Sequence, residues 1–243
     1  MRNWIIGAAA LLAVAVPGVA AAQTGYVGAT FGNVDVDGAG DADFYGVEGA
    51  VAFAGSGSIV FEVDASITDS DDTDEGYGLT GHVYSRSDAG LFGGFVGIGS
   101  SNDSDTWTVG LEGSKFYTNW TLAGAVFYAN NDDADADGYG VNAQARYFVH
   151  DNFRLQGNLG WATVDAGGAG DDDVFSYGLG GEYQFASVPV SIGAGWNHFE
   201  GDDSGVEADT LSIGIRYNWG GSLRDRDRNG ASQADITGTG FLF

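Results

Sequence analysis

From Gly25 to Trp219 the chain alternates apolar and polar residues with a period of two. The alternation is plainest where Ile59, Phe61, Val63, Ala65 and Ile67 are interleaved with Val60, Glu62, Asp64 and Ser66. It recurs where Tyr139, Val141, Ala143, Ala145, Tyr147 and Val149 oppose Asn142, Gln144, Arg146 and Phe148, and again over Leu211 to Trp219. Two is the side-chain repeat of an extended strand, so each stretch presents one apolar and one polar face. Twelve such segments can be delimited, over residues 25–33, 43–54, 57–67, 76–86, 90–100, 105–115, 119–130, 137–149, 152–164, 173–186, 188–199 and 208–219. The fourth and fifth are rich in glycine and alternate least cleanly, so counts of ten or fourteen stay open.

Most segments run to about ten to thirteen residues. A tilted strand needs about 9–11 residues to cross a bilayer, whereas strands of globular proteins are mostly about half as long as these segments. Aromatic residues gather near the segment ends, among them Trp107, Trp120, Tyr128, Tyr139, Tyr147, Phe153, Trp161, Trp196 and Trp219. The connections alternate between two kinds. Asn33–Ala42, Asp69–Glu75, Ser101–Ser104, Asn131–Ala136, Asp165–Asp172 and Glu200–Glu207 are acidic and turn-rich. Gly55–Ser56, Ser87–Ala89, Phe116–Thr118, His150–Asp151 and Ser187 are short and carry little charge. Long strands, aromatic girdles and short turns on one side with longer loops on the other describe a transmembrane antiparallel up-and-down β-barrel. The expectation is an all-β chain of twelve strands. A soluble β-sandwich could share the alternation but needs neither the loop asymmetry nor the girdles.

The start of the chain agrees with export. Arg2 precedes an apolar run from Ile5 to Val16, Pro17-Gly18 breaks it, and Ala20-Ala21-Ala22 precedes Gln23. This is the pattern of a secretory signal peptide over residues 1–22, and its apolar run is shorter than the about 20 residues of a spanning helix. The barrel then occupies 23–219 and a tail 220–243. The tail is expected in the periplasm or the lumen, or partly as a closing strand over Ile236–Phe243. There is no cysteine, so no disulfide supports the fold. With 34 Asp and Glu against 9 Lys and Arg, the net charge is −25, which excludes a nucleic-acid partner.

Parity places Glu48, Glu62, Asp64, Glu112, Arg146, Arg154, Glu182 and Arg216 on the inner face, with His82 beside them. A charge on the lipid face would cost up to a few kcal/mol at mid-membrane, so the lumen is where these groups belong. Twelve strands enclose enough space for a small aqueous pore, provided that loops or tail do not fill it. Opposite charges across such a pore would orient a dipolar solute.

Most acidic residues cluster in or beside the six longer connections. Asp35 and Asp37, Asp71 and Asp72, Asp132 and Asp133, Asp171 and Asp172, and Asp202 and Asp203 are weak candidates for holding Ca2+ or Mg2+ through hard oxygen ligands. None has a full EF-hand spacing, and no cofactor is expected beyond such loosely held cations. In the tail, Asp225, Asp227, Asn229 and Gly230 match the opening of an EF-hand loop, but Ile236 stands where its bidentate Glu should be. An acidic mouth would concentrate cations within a Debye length of about 8 Å, so a cation-preferring channel is the expected function. The alternative is a non-conducting structural or adhesive barrel whose loops bind divalent cations or lipopolysaccharide. Enzymatic activity is not expected. Of the three histidines, His82 and the nearby Ser85 fall on opposite strand faces, His150 falls in a turn, and His198 has no suitably spaced serine.

The stretch Ser212-Ile213-Gly214-Ile215-Arg216-Tyr217-Asn218-Trp219 resembles the β-signal read by the barrel-assembly machinery, with Ser212, Gly214, Tyr217 and Trp219 at its matching positions. A terminal Phe243 is also typical of that group. Taken whole, the mature chain resembles the porin-like outer-membrane β-barrel proteins of Gram-negative bacteria. The resemblance implies an outer-membrane location, contact with lipid and lipopolysaccharide, and assembly by that machinery. It implies no particular solute and no particular oligomeric state.

Overall fold

In the computed structural model, residues 22–70, 75–101, 104–165, 167 and 170–237 are described. The expected signal peptide up to Ala21, the candidate ligands Asp71 and Asp72, and the last residues Gly238–Phe243 lie outside them.

Twelve strands follow one another in chain order: β1 (Ala22–Val36), β2 (Gly40–Ala54), β3 (Ile59–Ser70), β4 (Gly76–Ser87), β5 (Gly90–Ser101), β6 (Ser104–Phe116), β7 (Trp120–Asn131), β8 (Ala136–His150), β9 (Phe153–Asp165), β10 (Asp171–Gln184), β11 (Val190–Gly201) and β12 (Glu207–Trp219). Each pairs antiparallel with the next, and β1 pairs with β12 from Gly25↔Trp219 to Val36↔Ala208, which closes the barrel. Closure gives every strand two neighbours, and a membrane demands this because it offers no water to an unpaired edge. At the seam it is β12 that pairs with β1, and Ile236 is helical; the rest of the closing strand expected over Ile236–Phe243 lies outside the described residues.

Several strands run further than the alternation suggests. The β1–β2 ladder continues to Val36↔Gly40, so most of the acidic stretch Asn33–Ala42 is a protruding hairpin. Beyond the bilayer both faces meet water, so the apolar face disappears while the ladder persists.

The two faces of the wall differ as the alternation requires. Leu122, Val126, Leu179, Leu211, Ile213 and Ile215 project outward and are exposed to the lipid phase, while Glu62, Arg146, Gln156 and Ser212 are buried inside. The outer surface is banded by ring pairs. Trp120 and Tyr147 lie 4.6 Å apart at the short-turn end, and Trp107–Tyr128 (5.4 Å) and Tyr139–Trp161 (6.0 Å) mark the end carrying the acidic loops. Tryptophan and tyrosine favour the two membrane interfaces, so these pairs bracket the spanning zone.

After Trp219 the chain turns inward. Gly220 (φ 100°) and Gly221 (φ 125°) adopt backbone angles that side chains rarely tolerate. Ser222 then caps a short helix, α1 (Leu223–Asn229). Its hydroxyl accepts from the Asp225 amide, and the Asp225 carboxylate accepts from the Ser222 amide. At Gly230 a Cβ would fall 2.0 Å from Thr24 Oγ1 on the wall, so only glycine passes there. A second helix, α2 (Ala234–Thr237), follows, with Ala234, Asp235 and Ile236 buried.

Candidate functional site in the barrel lumen

The inward charges sort by strand. Glu48 on β2, Glu62 and Asp64 on β3 and Glu112 on β6 form an acidic arc around His82 of β4. Arg146 on β8, Arg154 on β9 and Arg216 on β12 form a basic arc, with Glu182 of β10 set into it. All of these side chains are buried. A buried charge left alone is strongly unfavourable, so each must be paired.

Much of the pairing is made by the wall. Arg216 Nε donates to Glu48 Oε1 at 2.7 Å, and Arg154 Nη2 to Glu182 Oε2 at 3.0 Å. His82 bridges two strands, with Nε2 2.7 Å from Asp64 Oδ2 and Nδ1 3.0 Å from Glu112 Oε2. Parity places these three on the inner face, but their convergence depends on register across β3–β6.

The rest is made by the tail, which fills the short-turn half of the lumen. Arg226 Nη2 donates to Glu182 Oε2 at 2.8 Å, and its guanidinium lies over the Tyr26 ring at 5.0 Å. Asp227 accepts from Arg146 Nη1 at 2.6 Å and from Thr121 Oγ1 at 2.5 Å. Asp235 accepts from Arg154 Nη1 at 3.0 Å and from Arg216 Nη2 at 3.3 Å. Burial alone would raise the Asp235 carboxyl, but Arg216 and Arg154, with Arg146 and Arg226 nearby, hold it below the usual carboxylate range. Glu62 Oε1 accepts from the Gln233 amide at 2.9 Å and Oε2 from the Ser232 amide at 3.3 Å. Ile236 adds an apolar contact by packing with Phe95, Ala123 and Ala125. At the opening itself, Arg224 donates to Thr118 O at 2.9 Å and pairs with Asp151, and Arg228 donates to Tyr117 O.

The tail residues that match the opening of an EF-hand loop are engaged otherwise. Asp225 is occupied in the helix cap and Asp227 is bound to Arg146, so neither is free to ligate a cation. The cue that parity reading passed over is Ser222-x-x-Asp225, a helix-start pattern. The tail residues Arg226, Asp227 and Asp235 complete the lumenal network and were not among the expected site residues.

The outer carboxylates lie elsewhere. Asp35 stands opposite Asp41 and Asp209 in the ladder, and the Asp37 amide donates to Glu207 O at 3.0 Å. Asp133 accepts from the Asp105 amide at 3.0 Å and Asp172 from the Asp203 amide at 2.8 Å, while the Asp202 amide donates to Asp173 O. Asp171 faces Asp165 across β9–β10, and Asp132 is exposed in its turn. Among the described residues, no group of three or more His, Asp or Glu side chains is disposed to hold a metal ion.

A closed barrel with an apolar banded exterior and a largely polar, charge-lined interior defines an outer-membrane channel protein. The model of the Gram-negative porin family matches residues 95–224, more than half of the chain, and the chain belongs to that family. Its place is the outer membrane. Among solved structures, it is similar to an outer membrane channel from Pseudomonas putida F1, at 10% identity over 82% of this chain and 96% of that one, with a TM-score of 0.61. It is also similar to the KdgM porin in complex with disordered oligogalacturonate (9% identity, 79% and 99% covered, TM-score 0.51). The third is the β domain of the Bordetella autotransporter BrkA (11% identity, 82% and 100% covered, TM-score 0.50). At these identities the likeness is one of fold. No curated protein matches the sequence.

Proposed function

We propose that the protein is a cation-preferring diffusion channel for small solutes and ions, closed at its short-turn end by its own C-terminal segment. In this reading residues 1–22 are the export signal, 23–219 the channel wall and 220–243 a lumenal plug. The observation that carries it is the character of the plug's seat. The plug is held mainly by ion pairs and hydrogen bonds to a wall that is itself polar and charged. When such a segment withdraws, water and ions can replace its contacts. Acidic residues around the opposite mouth support the cation preference. Membership of the porin family supports a role without enzymatic chemistry. Lipid, lipopolysaccharide and, during biogenesis, the barrel-assembly machinery are the proposed partners.

The plug also favours a second reading, a non-conducting structural or adhesive barrel acting through its loops. Single-channel recording of the refolded protein across a salt gradient separates the two. Discrete ohmic openings with a cation-selective reversal potential support the channel. Silence from protein shown to be folded by heat-modifiable gel mobility supports the structural barrel, and anion selectivity would remove the cation preference.

A further inference from the structure

Above the plug, between β8 and β12, the lumen keeps a pocket of about 320 Å³ that opens toward the acidic-loop end. Its floor is made by Asp235 and Ile236, and its walls carry Asn142, Asn158, Ser176, Asn197 and Thr210. The size is at the lower end of small-molecule sites, which run from about 300 Å³. Its chemistry is unlike the charged half beneath it. Among the described lining residues the carboxylate is Asp235, already paired with Arg154 and Arg216, and the one imidazole, His198, stands 3.2 Å from Asp209, so the pocket offers no uncompensated charge.

What it offers is unused neutral hydrogen-bonding capacity. Asn158 Nδ2 donates to Asn197 Oδ1 at 3.0 Å. That leaves Asn158 Oδ1 a buried acceptor with no partner and the Asn197 amide nitrogen with no acceptor among the described residues. Reversing both amides swaps the ends, so in either assignment the pair presents one free donor and one free acceptor. Asn142 spends its nitrogen on Ile236 O at 3.1 Å and keeps its oxygen. The hydroxyls of Ser176 and Thr210 bond to no described residue. One level deeper, Gln156 is 4% exposed with both amide atoms unpartnered. Glycines make the arrangement possible: a Cβ at Gly178 would sit 2.0 Å from Asn197 Oδ1, and one at Gly160 would sit 2.4 Å from Ser176 Oγ. Phe199 adds an apolar wall.

We infer that this vestibule is a binding site for a neutral polyhydroxylated solute, a sugar of mono- to disaccharide size. A hydroxyl is donor and acceptor at once, which is what the paired amides present. A carboxylate or an ammonium would lose hydration there and meet no free opposite charge. The site is complete with the plug in place, so it does not depend on conduction.

The test is calorimetric titration of the refolded full-length protein in detergent with glucose, sucrose and gluconate. Saturable binding of at least one neutral sugar is expected, with a Kd of roughly millimolar and gluconate at least tenfold weaker. Replacing both asparagines (Asn158→Leu with Asn197→Leu) should weaken binding at least tenfold, and Thr108→Val on the opposite wall should leave it unchanged. Should the asparagine pair fail to fold, Ser176→Ala with Thr210→Val gives a second variant, expected to bind several-fold more weakly. No saturable heat from either sugar, gluconate binding as well as glucose, or undiminished affinity in the folded vestibule variants overturns the inference. A silent bilayer recording leaves it standing.

Discussion

Asp235 and Arg154 meet at 3.0 Å in the middle of the lumen, and this contact ties the end of the described chain to the wall of the barrel. Arg216 holds the other oxygen of the same carboxylate, so one tail side chain spans β9 and β12. Removing one partner of a buried ion pair costs about 3–5 kcal/mol. The full penalty is not expected for Asp235→Asn, because Arg154 keeps Glu182 and Arg216 keeps Glu48. A loss of about 2 kcal/mol in plug docking is expected, which is more than tenfold in the population of the withdrawn state. Single-channel open probability should rise by that factor. An unchanged open probability in folded protein would show that Asp235 does not anchor the plug.

Glu62 acts on the backbone. Its two oxygens accept from the amides of Ser232 and Gln233, the second at 2.9 Å, just ahead of α2. Glu62→Gln replaces one acceptor oxygen by a donor facing those amides. Leaving a buried donor unsatisfied costs about 1–3 kcal/mol. Hydrogen exchange at residues 232–234 should therefore accelerate by roughly tenfold or more, while amides in β7–β9 keep their protection. Equal acceleration throughout the barrel would mean that Glu62 supports the wall instead.

The same seat gives the plug a pH dependence. The Asp235 carboxyl is held below its ordinary value by Arg216 and Arg154, against the effect of burial. A depressed native value contributes stability that is fully present above the free value, near 3.9, and is lost as pH falls toward the native one. Around it stand Arg146 and Arg226 as further cations, with Glu182 and Glu48 bound to the same arginines. Exchange at residues 232–237, corrected for intrinsic rates, should therefore rise as pH falls below about 4. In Asp235→Asn that acid-induced rise should be smaller.

The wall is legible in the sequence because a barrel writes its two environments onto alternate residues. Ile213 and Ser212 are neighbours in the chain, yet one meets lipid and the other the lumen. The tail follows a different rule. Arg226, Asp227 and Asp235 are buried, but against charged partners on distant strands, so a polar stretch that reads as solvated is interior. The meeting of His82 with Asp64 and Glu112 is hidden for a related reason: parity fixes a face, and only register fixes which inward residues converge.

That alternation can be tested by moving a charge across the wall. Leu179 is 65% exposed on the lipid side of β10, beside the inward Gly178. Leu179→Arg should reduce folding stability in vesicles by about 2–4 kcal/mol, the cost of an arginine near the bilayer midplane. Urea titration of reversible folding measures it. A loss below about 1 kcal/mol would place Leu179 nearer an interface.

Cation preference can be tested at residues that do not hold the fold together. Asp132, Asp202 and Asp203 are exposed near the outer ends of β7–β8 and β11–β12, and their carboxylates make no hydrogen bond to any described residue. Replacing all three by Asn should therefore leave heat-modifiable mobility unchanged. If the outer field gathers cations, the reversal potential should move toward zero in the triple variant. The difference from the parent should be largest in dilute salt. The Debye length is about 30 Å at 0.01 M, long enough for loop charges to act at the mouth, and about 3 Å at 1 M, where they are screened. A shift of equal size at both salt concentrations would point to a changed pore shape. No shift at either would assign any selectivity to the lumenal arcs, where Glu48, Glu62, Asp64 and Glu112 face Arg146, Arg154 and Arg216.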